Sequence, residues 1–175
     1  AVSIQDSTKI EATSDPGDRP GEIVIRSGSF TMAGSTLVAS NAASAVSPGT
    51  SIDIAVSRDF KLDPGDPGAQ IRSVSDSGHA GDVVITADKI EMRGQKTQIL
   101  VASDPSEPDE SAAGPDLHLH ASSIELTEGA RMITQTESDQ PDQPGGAIYI
   151  DTERFSMAGG SDLLSIALGV GPGGE

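Results

Sequence analysis

Apolar and polar residues alternate in short runs along this chain, and the runs recur about every thirty residues. In the stretch 81–103, GDVVITADKIEMRGQKTQILVAS, three of them follow one another: VVI (83–85), IEM (90–92) and ILV (99–101). A period of two places alternate side chains on one face, as in a half-buried strand. Turn-type residues separate the runs, so each unit predicts three strands of a solenoid.

Related units fill the chain. Val2, Ile4 and then Ile10 match second and third strands with no first strand before them, and the loop SDPGDRP (14–20) follows. The first complete unit has Ile23 and Ile25, Phe30 and Met32, then Leu37 with Ala39 or Val38. The second has Ile52 and Ile54, Phe60 and Leu62, an inserted corner DPGDPG (63–68), and Ile71 and Ser73. After a loop DPSEPDESAAGP (104–115), the fourth supplies Leu117 and Leu119, Ile124 and Leu126, and Ile133. The fifth has Ile148 and Ile150, Phe155 and Met157, and Leu164 and Ile166. Intervals between Ile23, Ile52, Val83, Leu117 and Ile148 are 29, 31, 34 and 31, and the variation falls in the loops.

Parity between runs indicates closure. From Ile25 to Phe30, Ile85 to Ile90, Leu119 to Ile124 and Ile150 to Phe155 the interval is five, which a straight alternating strand cannot bridge with both residues inward. A corner is expected there. From Met92 to Ile99 and from Leu126 to Ile133 it is seven, predicting a second corner. Helical spacing is not sustained, and abundant Ser, Thr, Gly and β-branched residues disfavour helices. The predicted fold is all-β, a right-handed parallel β-helix with three sides, because parallel crossovers favour that hand. It comprises about five complete coils plus a partial N-terminal coil: residues 1–20 as partial coil and loop, 21–168 as coils, 169–175 as a glycine-rich end. Phe30, Phe60, Ile90, Ile124 and Phe155 should form one interior ladder, and Met32, Leu62, Met92, Leu126 and Met157 the next.

Composition narrows the picture. Three Phe, one Tyr and no Trp suit a narrow core better than a wide globular one. A formal charge of −16 disfavours nucleic acid and anionic membrane surfaces as partners. There is no cysteine, so disulfides and thiolate metal sites are excluded, and no segment has the roughly twenty apolar residues of a membrane span. The opening AVSIQDS and the incomplete first unit suggest a section of a longer protein.

The units GEIVIRSGSFTMAGSTL, GDVVITADKIEMRGQKTQI and GGAIYIDTERFSMAGGSDL resemble the G-D-I-x-I repeats of filamentous-haemagglutinin-like exoproteins of the two-partner secretion type. GAQIRSVSDSGHAGDVVI (68–85) and EGARMITQTESD (128–139) are similar to the third strand and following turn of that repeat. The resemblance covers essentially the whole chain. It implies a secreted, extracellular shaft at a bacterial cell surface, serving adhesion or an extracellular structure.

Candidate chemistry is sparse. Loop acids Asp15, Asp18, Asp63, Asp66, Asp104, Glu107, Asp109, Glu110, Asp139 and Asp142 sit where calcium can be caged, yet Asp beside Pro and Gly is ordinary turn chemistry. His118 and His120 flank Leu119 and share an outer face about 7 Å apart. No third ligand accompanies them, and His79 falls in a turn of another repeat, so no metal is assigned. Asp53, Asp82, Asp88 and Asp151, near Tyr149, are the carboxylates that a β-helical polysaccharide lyase or hydrolase would gather, but their positions in the repeat do not coincide. No nucleophile elbow appears.

The expectation is a non-enzymatic shaft without catalytic, cofactor or metal residues. Its partners would be further repeats of the same chain, or copies of itself stacked end to end, and a host or matrix receptor. A carbohydrate-active β-helix enzyme is the alternative.

Overall fold

A computed structural model describes residues 1–14, 21–41, 51–75, 80–103, 114–138 and 145–169. Every regular element among them is a β-strand. Two short strands come first, β1 (Val2–Ile4) and β2 (Lys9–Ser14). The next unit contributes β3 (Glu22–Ser27), β4 (Phe30–Ala33) and β5 (Thr36–Asn41). It is followed by β6 (Ser51–Val56), β7 (Asp59–Asp63) and β8 (Gln70–Ser75), then by β9 (Val83–Thr86), β10 (Lys89–Arg93) and β11 (Gln98–Ser103). In the last two units the first two segments merge, giving β12 (Leu117–Thr127) with β13 (Arg131–Ser138), and β14 (Ile148–Met157) with β15 (Asp162–Gly169).

All ladders are parallel, and each joins a segment to its counterpart one unit away. The chain is therefore a parallel β-solenoid. Third segments form a six-stranded sheet in the order β15-β13-β11-β8-β5-β2. First and second segments share one nine-stranded sheet, because β12 and β14 run through both.

The predicted ladders line the interior. Phe30, Phe60, Ile90 and Ile124 lie in register on successive rungs and are buried. So are Met32, Leu62, Met92 and Leu126. The rings of Phe30 and Phe60 stack with centroids 5.2 Å apart and planes within 7°. Each such side chain contributes about 1.5–3 kcal/mol of burial. The last rung is different: Phe155 is 40% and Met157 38% exposed.

The five-residue interval is met by a bend rather than a break. Along β12, Leu117, Leu119 and Ala121 point inward, Ser122 and Ser123 both point away from the core, and Ile124 and Leu126 point inward again. Two consecutive outward residues shift the alternation by one position. Small Ala87 and Ala121, both buried, occupy the inside of this bend on adjacent rungs.

At the second corner the interval of seven holds from Met92 to Ile99 and fails from Leu126 to Ile133. Ile133 does not point inward, and neither do Leu164 and Ile166. The inward row across the six-stranded sheet is Ile10, Leu37, Ile71, Ile99, Met132 and Leu163. Leu126 to Met132 is six residues, whereas Met92 to Ile99 is seven. The turns differ in length and contain residues of left-handed backbone, Gly94 (φ 103) in one and Glu128 (φ 56) with Gly129 (φ 83) in the other. Such residues reset which face follows, so counting through them carries no phase.

Apart from Val101, most of the other buried inward positions of this sheet are hydroxylic. Ser73, Ser75, Ser103, Thr134 and Thr136 are buried. They hold the chain as it returns toward the first segment of the next unit. Ser73 Oγ donates to the Gly81 carbonyl at 2.6 Å, and Thr134 Oγ1 to that of Gly146 at 3.0 Å. The N–H of Ala80 donates to Ser103 Oγ at 2.7 Å, and that of Gly146 to Thr136 Oγ1 at 3.2 Å. Buried backbone groups of an irregular segment need such partners.

Candidate functional site

Of the residues singled out from sequence, Asp53, Asp63, His118, His120, Tyr149 and Asp151 lie on strands of the nine-stranded sheet. Over its first segments, His118 pairs in register with Val84 and Tyr149, and His120 with Thr86 and Asp151. Identical strand direction on adjacent rungs stacks the His118 and Tyr149 rings, with centroids 4.7 Å apart and planes within 9°. Beside them His120 Nδ1 lies 2.8 Å from Asp151 Oδ2. His118 Nε2 is 3.9 Å from Asp116 Oδ2. The two imidazoles thus face different carboxylates. Among the described residues no three metal-ligating side chains come together.

The four carboxylates considered for catalysis do not converge. Asp53 pairs with Arg26 one rung away. Asp82 Oδ1 accepts the N–H of Asp116 at 2.9 Å, Asp88 Oδ1 accepts the hydroxyl of Ser122 at 2.8 Å, and Asp151 meets His120. Each is engaged with a residue 27 to 34 positions away, so each is a tie between neighbouring rungs. Asp116, which sequence reasoning did not single out, extends the series by accepting the N–H of Ala147 at 2.8 Å. Its signal was its place: like Asp82 it immediately precedes the first apolar residue of its unit.

Over the second segments an open groove of about 490 Å³ is lined by Lys61, Asp63, Glu91, Arg93, Glu125 and Glu128, with Met92 and Thr127. In one row Lys61 meets Glu91, and Glu91 and Glu125 then follow on adjacent rungs with the same sign; in the next row Asp63 meets Arg93. Glu91 lies 2.7 Å from Lys61 and 2.5 Å from Lys89. Arg93 stands 3.8 Å from Asp63 and 3.9 Å from Glu128. The hydrogen bond from Lys61, then that from Lys89, holds the Glu91 carboxyl below its ordinary value against the opposing effect of burial. The same pairing raises Lys61. The opposite charges of Lys61 with Glu91 and of Asp63 with Arg93 favour the observed register, while the aligned Glu91 and Glu125 oppose it.

Of the acids considered for calcium, Asp63 faces Arg93 and Asp66 faces Lys96 at 3.3 Å. Asp15, Asp18, Asp104, Glu107, Asp109, Glu110, Asp139 and Asp142, together with His79, lie outside the described residues. Among the described residues no helix is long and apolar enough to cross a membrane.

These features define a class: a parallel β-solenoid whose outward polar residues mainly tie one rung to the next. Comparison with protein-family models, with curated proteins and with solved structures gives no significant match.

Proposed function

We propose that the chain is a structural and adhesive module, a non-enzymatic β-solenoid shaft of a secreted bacterial surface protein of the filamentous-haemagglutinin-like type. The observation that carries this reading is the use made of its polar groups. Carboxylates that an enzyme would gather around a substrate are instead engaged, one by one, along the axis. The repeat resemblance to two-partner secretion exoproteins supports an extracellular, cell-surface setting. In this reading the last rung, with Phe155 and Met157 continuing the two interior ladders, seats a further rung of the same geometry. That rung comes from more of the same chain or from another copy, since solenoid units contact only their neighbours.

Electron microscopy of the purified chain, with acidic polysaccharides assayed in parallel, tests the proposal. Straight rods about one solenoid wide are expected, shortened by the double substitution Phe155→Glu with Met157→Glu, and no depolymerisation. Turnover of a polysaccharide by the chain would favour a carbohydrate-active enzyme and sink the reading.

A further inference from the structure

The two sheets present different outer faces. On the six-stranded sheet Leu100, Ile133 and Leu164 stand directly above one another on consecutive rungs, pointing away from the core. In the neighbouring outward row Val74 aligns with Ala102, and Ile166 follows after Gln135. Across β8, β11, β13 and β15 these two rows hold no carboxylate, and Arg72, at the head of the leucine row, is their single charge. The chain as a whole carries −16. The equivalent face over β7, β10 and β12 carries Lys61, Glu91 and Glu125 in one row and Asp63 and Arg93 in the next.

We propose that this face is where two copies of the solenoid lie side by side. The argument is one of charge and shape. Two chains at −16 repel through most of their surfaces, and contact is least opposed where the facing rows bear no negative charge. A contiguous apolar patch rimmed by polar groups marks an interaction surface, and this one is rimmed by the Arg131–Asp162 pair, 3.0 Å apart, and by Glu137. Sheet faces pack with their strands nearly aligned, so the two axes run close to parallel. A two-fold axis through the patch makes it self-complementary, each leucine row meeting its copy.

Size sets the strength. The four strands β8, β11, β13 and β15, spaced about 4.8 Å apart and about 20 Å long, present roughly 400 Å² per copy. Roughly 800 Å² in total is below the roughly 1,000 Å² of a stable specific interface, so the dimer is transient and of micromolar or weaker affinity. Added salt screens the mutual repulsion while leaving apolar contact intact, so this dimer strengthens with salt. An interface built on ion pairs does the opposite. The inference is independent of what happens at the ends of the solenoid.

Sedimentation velocity of the whole chain over a range of concentrations, at low and at high sodium chloride, is the test. A dimer fraction that rises with both is expected, abolished by Leu100→Lys with Ile133→Lys and kept by Phe155→Glu with Met157→Glu. Because the lysine variant can fail to fold, a second measurement uses the lack of native cysteine. Ile133→Cys should be linked to its copy by a short bis-maleimide spanning the roughly 10 Å between packed sheets, and Thr31→Cys on the other sheet should not. The proposal is overturned by a chain monomeric at every concentration and salt level, by a dimer that salt weakens, or by one that survives the lysine substitutions while Thr31→Cys links instead. Ile133→Cys protected from labelling only by an added foreign macromolecule assigns the face to a different occupant and also overturns it.

Discussion

Asp116 uses both its backbone and its side chain along the axis: its N–H donates to Asp82, and its carboxylate accepts from Ala147. An isolated surface contact of this kind is worth about 0.5–1.5 kcal/mol, and it gains importance here by recurring at one place in the repeat. Glu91 does the same with charge, drawing two lysines from its own and the neighbouring strand. Because its folded pKa lies below the ordinary 4.5, its contribution is complete above that value and is lost as pH falls through the lowered one. Lys61, raised above 10.5, bounds the same interaction on the alkaline side. Glu91→Gln should therefore lower stability at neutral pH by about 0.5–1 kcal/mol, a value kept small by solvent screening. Urea midpoints measured across a pH series should show variant and parent converging below pH 4.5. A constant gap down to strongly acidic pH would show that the carboxylate's charge is not what matters.

Among the elements, the third segments invert the usual pattern. Their inward row is partly hydroxylic, with Ser73, Thr134 and Thr136, while Leu100, Ile133 and Leu164 face out. Met132→Ala should cost about 2–5 kcal/mol, as for a core side chain. Ile133→Ala, measured by denaturation at dilute concentration, should cost under about 1 kcal/mol; the reverse order would restore the assignment suggested by sequence. The same inversion explains what could be read in advance. Phe30, Phe60, Ile90 and Ile124 are large, apolar and evenly placed, and their ladder was legible along with the parallel solenoid it implies. The third row was legible in part: Leu37, Ile71, Ser73 and Ile99 point inward as the pattern suggests, whereas turns containing left-handed residues bring Met132 and Leu163 inward in place of Ile133 and Leu164. As for candidate sites, Asp82 and Asp151 were identifiable as exposed acids, but the partners that engage them lie a full unit away and become visible only once the register is known.

At the scale of the whole molecule, contacts between rungs are unequal. β12 and β14 align over nine residue pairs on their shared sheet, and β13 and β15 over eight on the other. At the opposite end β1 aligns with β4 over three pairs and β2 with β5 over six. Stability is thus graded along the axis, since a solenoid sums local units and nearest-neighbour interfaces.

The unbroken run of β12 and β14 through the bend has a mechanical consequence. If the chain is stretched between its termini, a rung can detach without disturbing rungs beyond its neighbour, so extension proceeds as a series of ruptures. Each freed unit of 29 to 34 residues lengthens the tether by about 100 Å. The short amino-terminal ladders give way at the lowest force, and the β12–β14 pair is the last to part. Single-molecule force spectroscopy should record this stepwise yield with rising force, whereas one all-or-none rupture would contradict it. A tether built this way dissipates work over a long extension while its strongest joint still holds.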